Sequence, residues 1–352
     1  MKKWIRTFTI ISVLLLIFFG TVTVIVDPYF HYHGPIDGMS YRLDDERYIN
    51  DGISRHFEYD AIITGDSMTQ NFKTTQFDEL FGTKSIKIPY AGTSYKELWD
   101  AIDRALDRNK DVKTVLVNMD GDSMAQEDYM RYESYPEYLY DDNPFNDLNY
   151  IWNKSIFMYG TLHNIRATLT GETSTTFDEY ASWEHEKGYD KMMGSIERID
   201  SPITQDTDFH DGRKYPVISN ICNNVISVTE KYPNTEFVIF IAPSSIAKWC
   251  ELYEQEALYY RIKRYETALE LLTAEGNIRV FGFQDCFDIV DKPDLYSDAV
   301  HYDSQINERI LQMIHDGEHE LTADNYMDYI NSLHEYYENY DYVELCHRKS
   351  EN

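Results

Sequence analysis

The chain has 352 residues and carries 61 Asp and Glu against 32 Lys and Arg, a net charge of −29. Such an imbalance argues against a nucleic-acid binder, whose phosphates it would repel, and for a well-solvated surface. The length suits one large α/β domain or two small ones. Four cysteines, Cys222, Cys250, Cys286 and Cys346, show no CxxC spacing, so no metal site and no cofactor is expected. Cys222 and Cys250 fall on different predicted elements and could pair, but buried thiols are the simpler expectation.

The chain opens with a basic end, Met1 to Arg6, followed by Thr7–Val26, which holds no charged residue. At about 1.5 Å per residue this run reaches across a hydrocarbon core of roughly 30 Å. With Lys2, Lys3 and Arg6 held on the cytoplasmic side, the body of the chain faces outward. The apolar run is long for a cleaved leader, and no small-x-small site precedes Asp27. A single-pass signal anchor is therefore expected, with the C-terminal part extracytoplasmic at the cell membrane.

Residues 27–58 read as an irregular juxtamembrane segment. Its His31 and His33 form an HxH pair with no acidic partner at helical spacing, so a loop role is expected. Short β runs then alternate with helical patterns, which predicts a parallel sheet with crossover helices. Strands are expected at 60–64, 85–89 and 113–119, with helices near 74–81 and over 94–108. Ser94 and Glu97 make a capping box for the second of these. Residues 123–215 lose all alternation, which marks an insertion. Order resumes with a helix at 217–231, a strand at 236–242, a long helix at 250–274, a last strand at 278–282 and a helix near 303–316. A Tyr-rich helical tail, 321–352, closes the chain.

Sites in open parallel sheets form beyond the carboxyl ends of the strands. The first strand delivers "ITGDSMTQNF", with Ser67 at its exit. Gly92 follows the second strand. Asn118 and Asp120 follow the third, and Asp298 and His301 lie beyond the last, in "LYSDAVHYD". A serine, an acid and a histidine are thereby gathered at one sheet edge. The bland alternatives are a serine that caps a turn, an Asp298 that caps the helix near 303, and a structural His301. The series Tyr129, Tyr132, Tyr135 and Tyr138 could line a carbohydrate groove or simply face a folded loop.

This arrangement of Gly65-Asp66-Ser67, a glycine after the next strand and a late Asp-x-x-His resembles the SGNH/GDSL hydrolase superfamily, over roughly 60–122 and 216–317. The resemblance implies a three-layer α/β sandwich with a parallel, flavodoxin-like sheet of about five strands, spanning 59–320 around the insertion. It implies Ser67 as nucleophile, His301 as general base and Asp298 as its orienting acid. The oxyanion hole would use the N–H groups of Ser67 and Gly92 and the side chain of a third-block asparagine. Here that block reads Asn118-Met-Asp120-Gly-Asp122, so either Asn118 or a protonated Asp120 would take the place, since an ionised carboxylate donates nothing. By the same resemblance the function is a serine ester hydrolase or O-acyltransferase acting on acyl esters of cell-envelope glycans, beside a multi-pass acyl-exporting membrane protein. The competing class is a catalytically degenerate glycan-binding or scaffold protein of an envelope complex.

Overall fold

The computed structural model describes residues 2–131, 135–141, 143–194 and 196–348. Tyr132, one of the tyrosine series, lies outside them. The chain divides into two units, 1–58 with 133–181 and 59–132 with 182–352.

The larger unit is built on a six-stranded sheet: β1 Ala61–Gly65, β2 Ser85–Pro89, β3 Thr114–Asn118, β4 Glu236–Ile241, β5 Ile278–Gly282 and β6 Glu320–Leu321. Its order is β2-β1-β3-β4-β5-β6. The first five strands are parallel, and β6 pairs antiparallel with β5 through two residues. Sequence periodicity missed β6 because a two-residue edge strand has no alternation to detect. The parallel part has the 2-1-3-4-5 order, whose direction of winding reverses between β1 and β3 and opens a crevice there. Ile62, Ile63, Val115, Leu116, Val117 and Phe240 are almost fully buried. That suits strands covered on both faces by helices, and each such side chain contributes about 1.5–3 kcal/mol on burial.

Helices Thr74–Phe81 and Tyr95–Arg108 lie where the pattern predicts them. Ser94 caps the second, its Oγ accepting the Glu97 N–H at 3.2 Å. The expected long helix over 250–274 is instead two, Ile246–Glu254 and Leu258–Leu272. The break falls at Glu256, whose φ of 55° cannot continue a right-handed helix. The expected helix at 217–231 begins earlier, at Asp211, and passes through a π-helical stretch, Ile221–Ile226. All four cysteines are free thiols. Cys250 lies not against Cys222 but 3.6 Å, sulfur to sulfur, from Cys346. Tail tyrosines are packing residues: Tyr337 stacks on Trp249 at 3.6 Å and Tyr342 on Tyr253 at 4.5 Å.

The smaller unit contains the helix Lys2–Val26, which is long and apolar enough to cross a membrane. The stretch after it is less irregular than its polarity suggests, since Glu46–His56 is helical. Buried Asp27 accepts the N–H groups of His31, Tyr32 and His33 at 3.0, 2.7 and 2.9 Å, and the Tyr150 hydroxyl at 2.7 Å. His31 finds its acid far away in sequence, Asp147, at 3.2 Å. His33 bonds to the Gly34 and Val24 carbonyls. The HxH pair therefore serves a buried polar network in a loop. This unit also holds shorter helices, among them Leu148–Ile151, a π-helical Ile156–Thr161 and Leu162–Thr170.

Candidate functional site

Ser67 stands at the exit of β1 because the backbone turns sharply at Gly65. Its φ is +142°, and a Cβ there would meet the Thr69 Cγ2 at 2.7 Å and the Asn118 Cβ at 3.1 Å. Only glycine satisfies both demands. The chain then makes a single 3₁₀ turn, Ser67–Thr69, capped by Asp66, whose Oδ1 accepts the Met68 N–H at 2.9 Å. Ser67 is thus not the cap, and a three-residue turn contributes little helix dipole. Two further groups fix the segment after it. The fully buried Lys87 of β2 donates to the Gln70 and Phe72 carbonyls at 2.5 and 3.0 Å. Asn307 donates to the Met68 carbonyl at 2.9 Å.

The loop beyond β5 brings His301 to the same place. Tyr296 and Tyr302 form an antiparallel bridge, and the Ser297 N–H donates to the His301 carbonyl at 2.9 Å. The buried Ser245 hydroxyl donates to the Ala299 carbonyl at 2.6 Å. Inside that bend the Asp298 Oδ1 accepts the Val300 and His301 N–H groups at 2.8 and 2.7 Å. Its Oδ2 lies 2.7 Å from the His301 Nδ1. The His301 Nε2 lies 2.7 Å from the Ser67 Oγ. The helix Ser304–Asp316 is capped by Asp303, not by Asp298.

Charge obeys this geometry. Burial favours the neutral acid at Asp298, but the His301 ring and the two N–H groups outweigh it and hold the carboxyl at about 2. Burial would lower the pKa of His301, yet the bond and charge of Asp298, with the charge of Asp66, raise it above its ordinary value. With Asp298 ionised and holding its Nδ1 side, the His301 ring is oriented so that its Nε2 can take a proton from the Ser67 hydroxyl.

The facing side of the cleft is less simple. The cleft, of about 180 Å³, is lined by Ser67, Gly92, Asn118, Asp120, Arg261 and His301 among others. Gly92 has a φ of +64° and no heavy atom within 4 Å of where a Cβ would stand. Asn118 lines the same cleft, but its amide donates to both oxygens of Asp66, at 2.9 Å each, so it is turned away from the role expected of it. Its own Oδ1 is buried without a partner among the described residues. Burial, followed by the charge of Asp120, pushes Asp66 up to about 7. The Asp120 Oδ2 accepts the Ser123 N–H at 2.7 Å. Beyond it Asp122 contacts the buried Arg261 and lies 3.3 Å from Lys248. At Gly121 a Cβ would stand 2.6 Å from the Tyr265 hydroxyl and 2.7 Å from the Arg261 Nη1, so a larger residue would displace these side chains.

Sequence reasoning missed Trp183, which comes from the insertion. Its ring meets the His301 ring edge-on at 5.2 Å and stacks on His185 at 5.2 Å. It is held by its N–H, which donates to Asn71 at 2.9 Å, and by its indole, which donates to Gln70 at 2.7 Å. Only its place among Tyr, Trp and His in an otherwise featureless stretch could have flagged it. Of the flagged tyrosines among the described residues, Tyr129 is exposed, Tyr135 stacks on Tyr140 and Tyr138 packs beside Leu139. Away from the cleft, Asp285, Cys286 and His319 place three donor atoms within 4.8 Å of one another, the described group best able to hold a metal.

No protein-family profile and no curated protein matches the chain. Among solved structures, a protein from Streptococcus pneumonia provisionally described as a platelet activating factor aligns over 77% of this chain and 90% of its own. The two share 14% identity at a TM-score of 0.39. So distant a likeness bears on no residue of the cleft.

Proposed function

We propose that the protein is a membrane-anchored serine ester hydrolase or O-acyltransferase of SGNH type, working outside the cytoplasm on acyl esters of cell-envelope glycans. The observation that carries this reading is the unbroken line from Ser67 Oγ through His301 to Asp298, with both contacts at 2.7 Å. Ser67 attacks the acyl carbonyl while the His301 Nε2 takes its proton, and Asp298 stabilises the imidazolium. The Ser67 and Gly92 N–H groups serve the oxyanion. His301 returns the proton to the departing sugar oxygen, leaving an acyl-Ser67. Water then gives hydrolysis, and an acceptor hydroxyl gives transfer to a second glycan. The helix Lys2–Val26 keeps the enzyme at the envelope, where an acyl-exporting membrane protein would be its supplier.

One observation favours the competing reading of a glycan-binding or scaffold protein: the Asn118 amide is committed to Asp66. A fluorophosphonate probe separates the two. The intact protein should label covalently, and Ser67→Ala should not. Equal absence of label in both would leave only the binding role.

A further inference from the structure

The smaller unit carries a surface that the proposed chemistry does not use. Residues 148–171 contain no Asp or Glu, although the chain has 61, and their only charges are Lys154 and Arg166. They fold as a short helix, a π-helical turn and a longer helix, Leu148–Thr170 in all. Where the helices join, the Asn153 Oδ1 accepts the Ser155 and Ile156 N–H groups at 2.9 and 3.3 Å. The backbone is thus largely self-satisfied, as a low-dielectric setting requires. One face is inward and includes buried Ile156, Thr161, Asn164 and Ala167. The other shows Leu148, Trp152, Met158, Tyr159, Leu162 and Leu169, with Tyr159 76% and Leu169 82% exposed. Exposed Lys154, Ser155, His163 and Arg166 lie between them, and exposed apolar patches of this kind mark an interaction surface.

What covers it is indicated by where the segment sits on the N-terminal helix. The Trp152 indole donates to the Leu16 carbonyl at 3.0 Å, and Phe157 packs edge-on against Phe19 at 5.0 Å. Gly20 permits this approach: a Cβ there would lie 2.8 Å from both Ile151 Cγ2 and Trp152 Nε1. Close helix contact through a small residue is how helices associate inside membranes. Leu16 precedes Val26 by ten positions, so the contact lies about 15 Å down the helix axis, near the middle of a hydrocarbon core of roughly 30 Å.

We infer that residues 148–158 form a lipid-embedded shelf, buried among acyl chains of the outer leaflet beside the N-terminal helix, with Leu148, Trp152 and Met158 facing lipid, while Asn164 and Thr168 bond to Arg42 and Ser40 beyond the end of that helix. The inference rests on the helix Lys2–Val26 spanning the membrane. Lys154, two residues from Trp152, extends its stem toward the headgroups, and the charge of Arg166 acts on Glu172. The shelf makes the attachment a two-element one, in which the second element is held by both lipid and the first helix.

Depth-dependent quenching tests this on the full chain in phosphatidylcholine–phosphatidylglycerol nanodiscs containing lipids brominated along the acyl chain. The Trp152 signal is the difference between the wild type and Trp152→Phe, and the Trp4 signal, from Trp4→Phe, reports the anchor separately. Bromines on the acyl chain should quench Trp152 strongly, and Leu148→Glu with Met158→Glu should weaken that quenching several-fold while Trp4 is unchanged. Quenching of Trp4 without quenching of Trp152 would overturn the shelf and leave the anchor standing, as when a protein partner rather than lipid covers these patches. Loss of both signals, with the protein released by carbonate, would remove the anchor and the shelf together.

Discussion

The two walls of the cleft differ in how their charges are met. On the Ser67–His301 wall each polar group meets a complementary one: hydroxyl to imidazole, imidazole to carboxylate, carboxylate to two N–H groups. On the Asn118–Asp122 wall two carboxylates, Asp66 and Asp120, oppose one another, and an amide suited to bind an oxyanion is spent on holding one of them. The first wall is ready to move a proton. The second is suited to hold negative charge apart, which is the wrong sign for an oxyanion unless one carboxyl keeps its proton. The contrast teaches that a serine, an imidazole and a carboxylate can be fully paired on one wall while the amide on the facing wall is committed to a carboxylate.

The sharpest way to break the comparison is on the proton-moving wall. His301→Ala should lower ester turnover by roughly 10³–10⁶-fold with folding intact, measured on a chromogenic acyl ester. Asp298→Asn should cost about 10⁴-fold and do something the alanine cannot. In the wild type, activity should rise with pH through a midpoint above the ordinary imidazole value, because His301 must be neutral to act as base. The asparagine removes the bond and charge that raise it, so the residual activity should show its midpoint at lower pH. An unmoved midpoint would assign the titration to another group.

On the other wall the expected effects are smaller and concern stability as well as rate. Asn118→Ala should leave Asp66 short of two donated bonds, at a cost of about 1–3 kcal/mol in denaturant unfolding. If Asn118 also serves the oxyanion in the substrate complex, turnover should drop by roughly a further 10²–10³-fold, and an unchanged rate would give that place to another donor. Asp66 has a folded pKa raised to about 7, against roughly 3.9 unfolded. The folded state therefore holds the extra proton between those values, and its stability falls as pH rises through that window. Asp66→Asn should flatten the fall in Tm between pH 4 and pH 7. A curve as steep as the wild type's would place the pH-sensitive group elsewhere.

How much of this was legible in the chain depended on distance in sequence. The strands β1, β2, β4 and β5 and the helix Thr74–Phe81 could be placed closely because period-2 and 3.6 patterns are local. Ser67, Asp298 and His301 could be nominated because strand ends in a parallel sheet converge. The break at Glu256 escaped, since its neighbours keep helical spacing and only the backbone angle ends the helix. Trp183 escaped because its value lies in a contact with a ring more than a hundred residues away. So did the partnership of Asn118 with Asp66, which no spacing encodes, and the link from His31 to Asp147. The insertion has no sheet alternation, and its division between two units came from packing alone.

The indole of Trp183 against His301 has a further consequence. The chain has five tryptophans, but this one lies with its ring edge-on to the proposed base. An imidazolium quenches a neighbouring indole more strongly than a neutral imidazole does. The molecule therefore contains its own optical titrant: with the stacked His185 replaced by Gln, emission should brighten with rising pH at the same midpoint as catalysis, with no substrate present, and Trp183→Phe should erase that component.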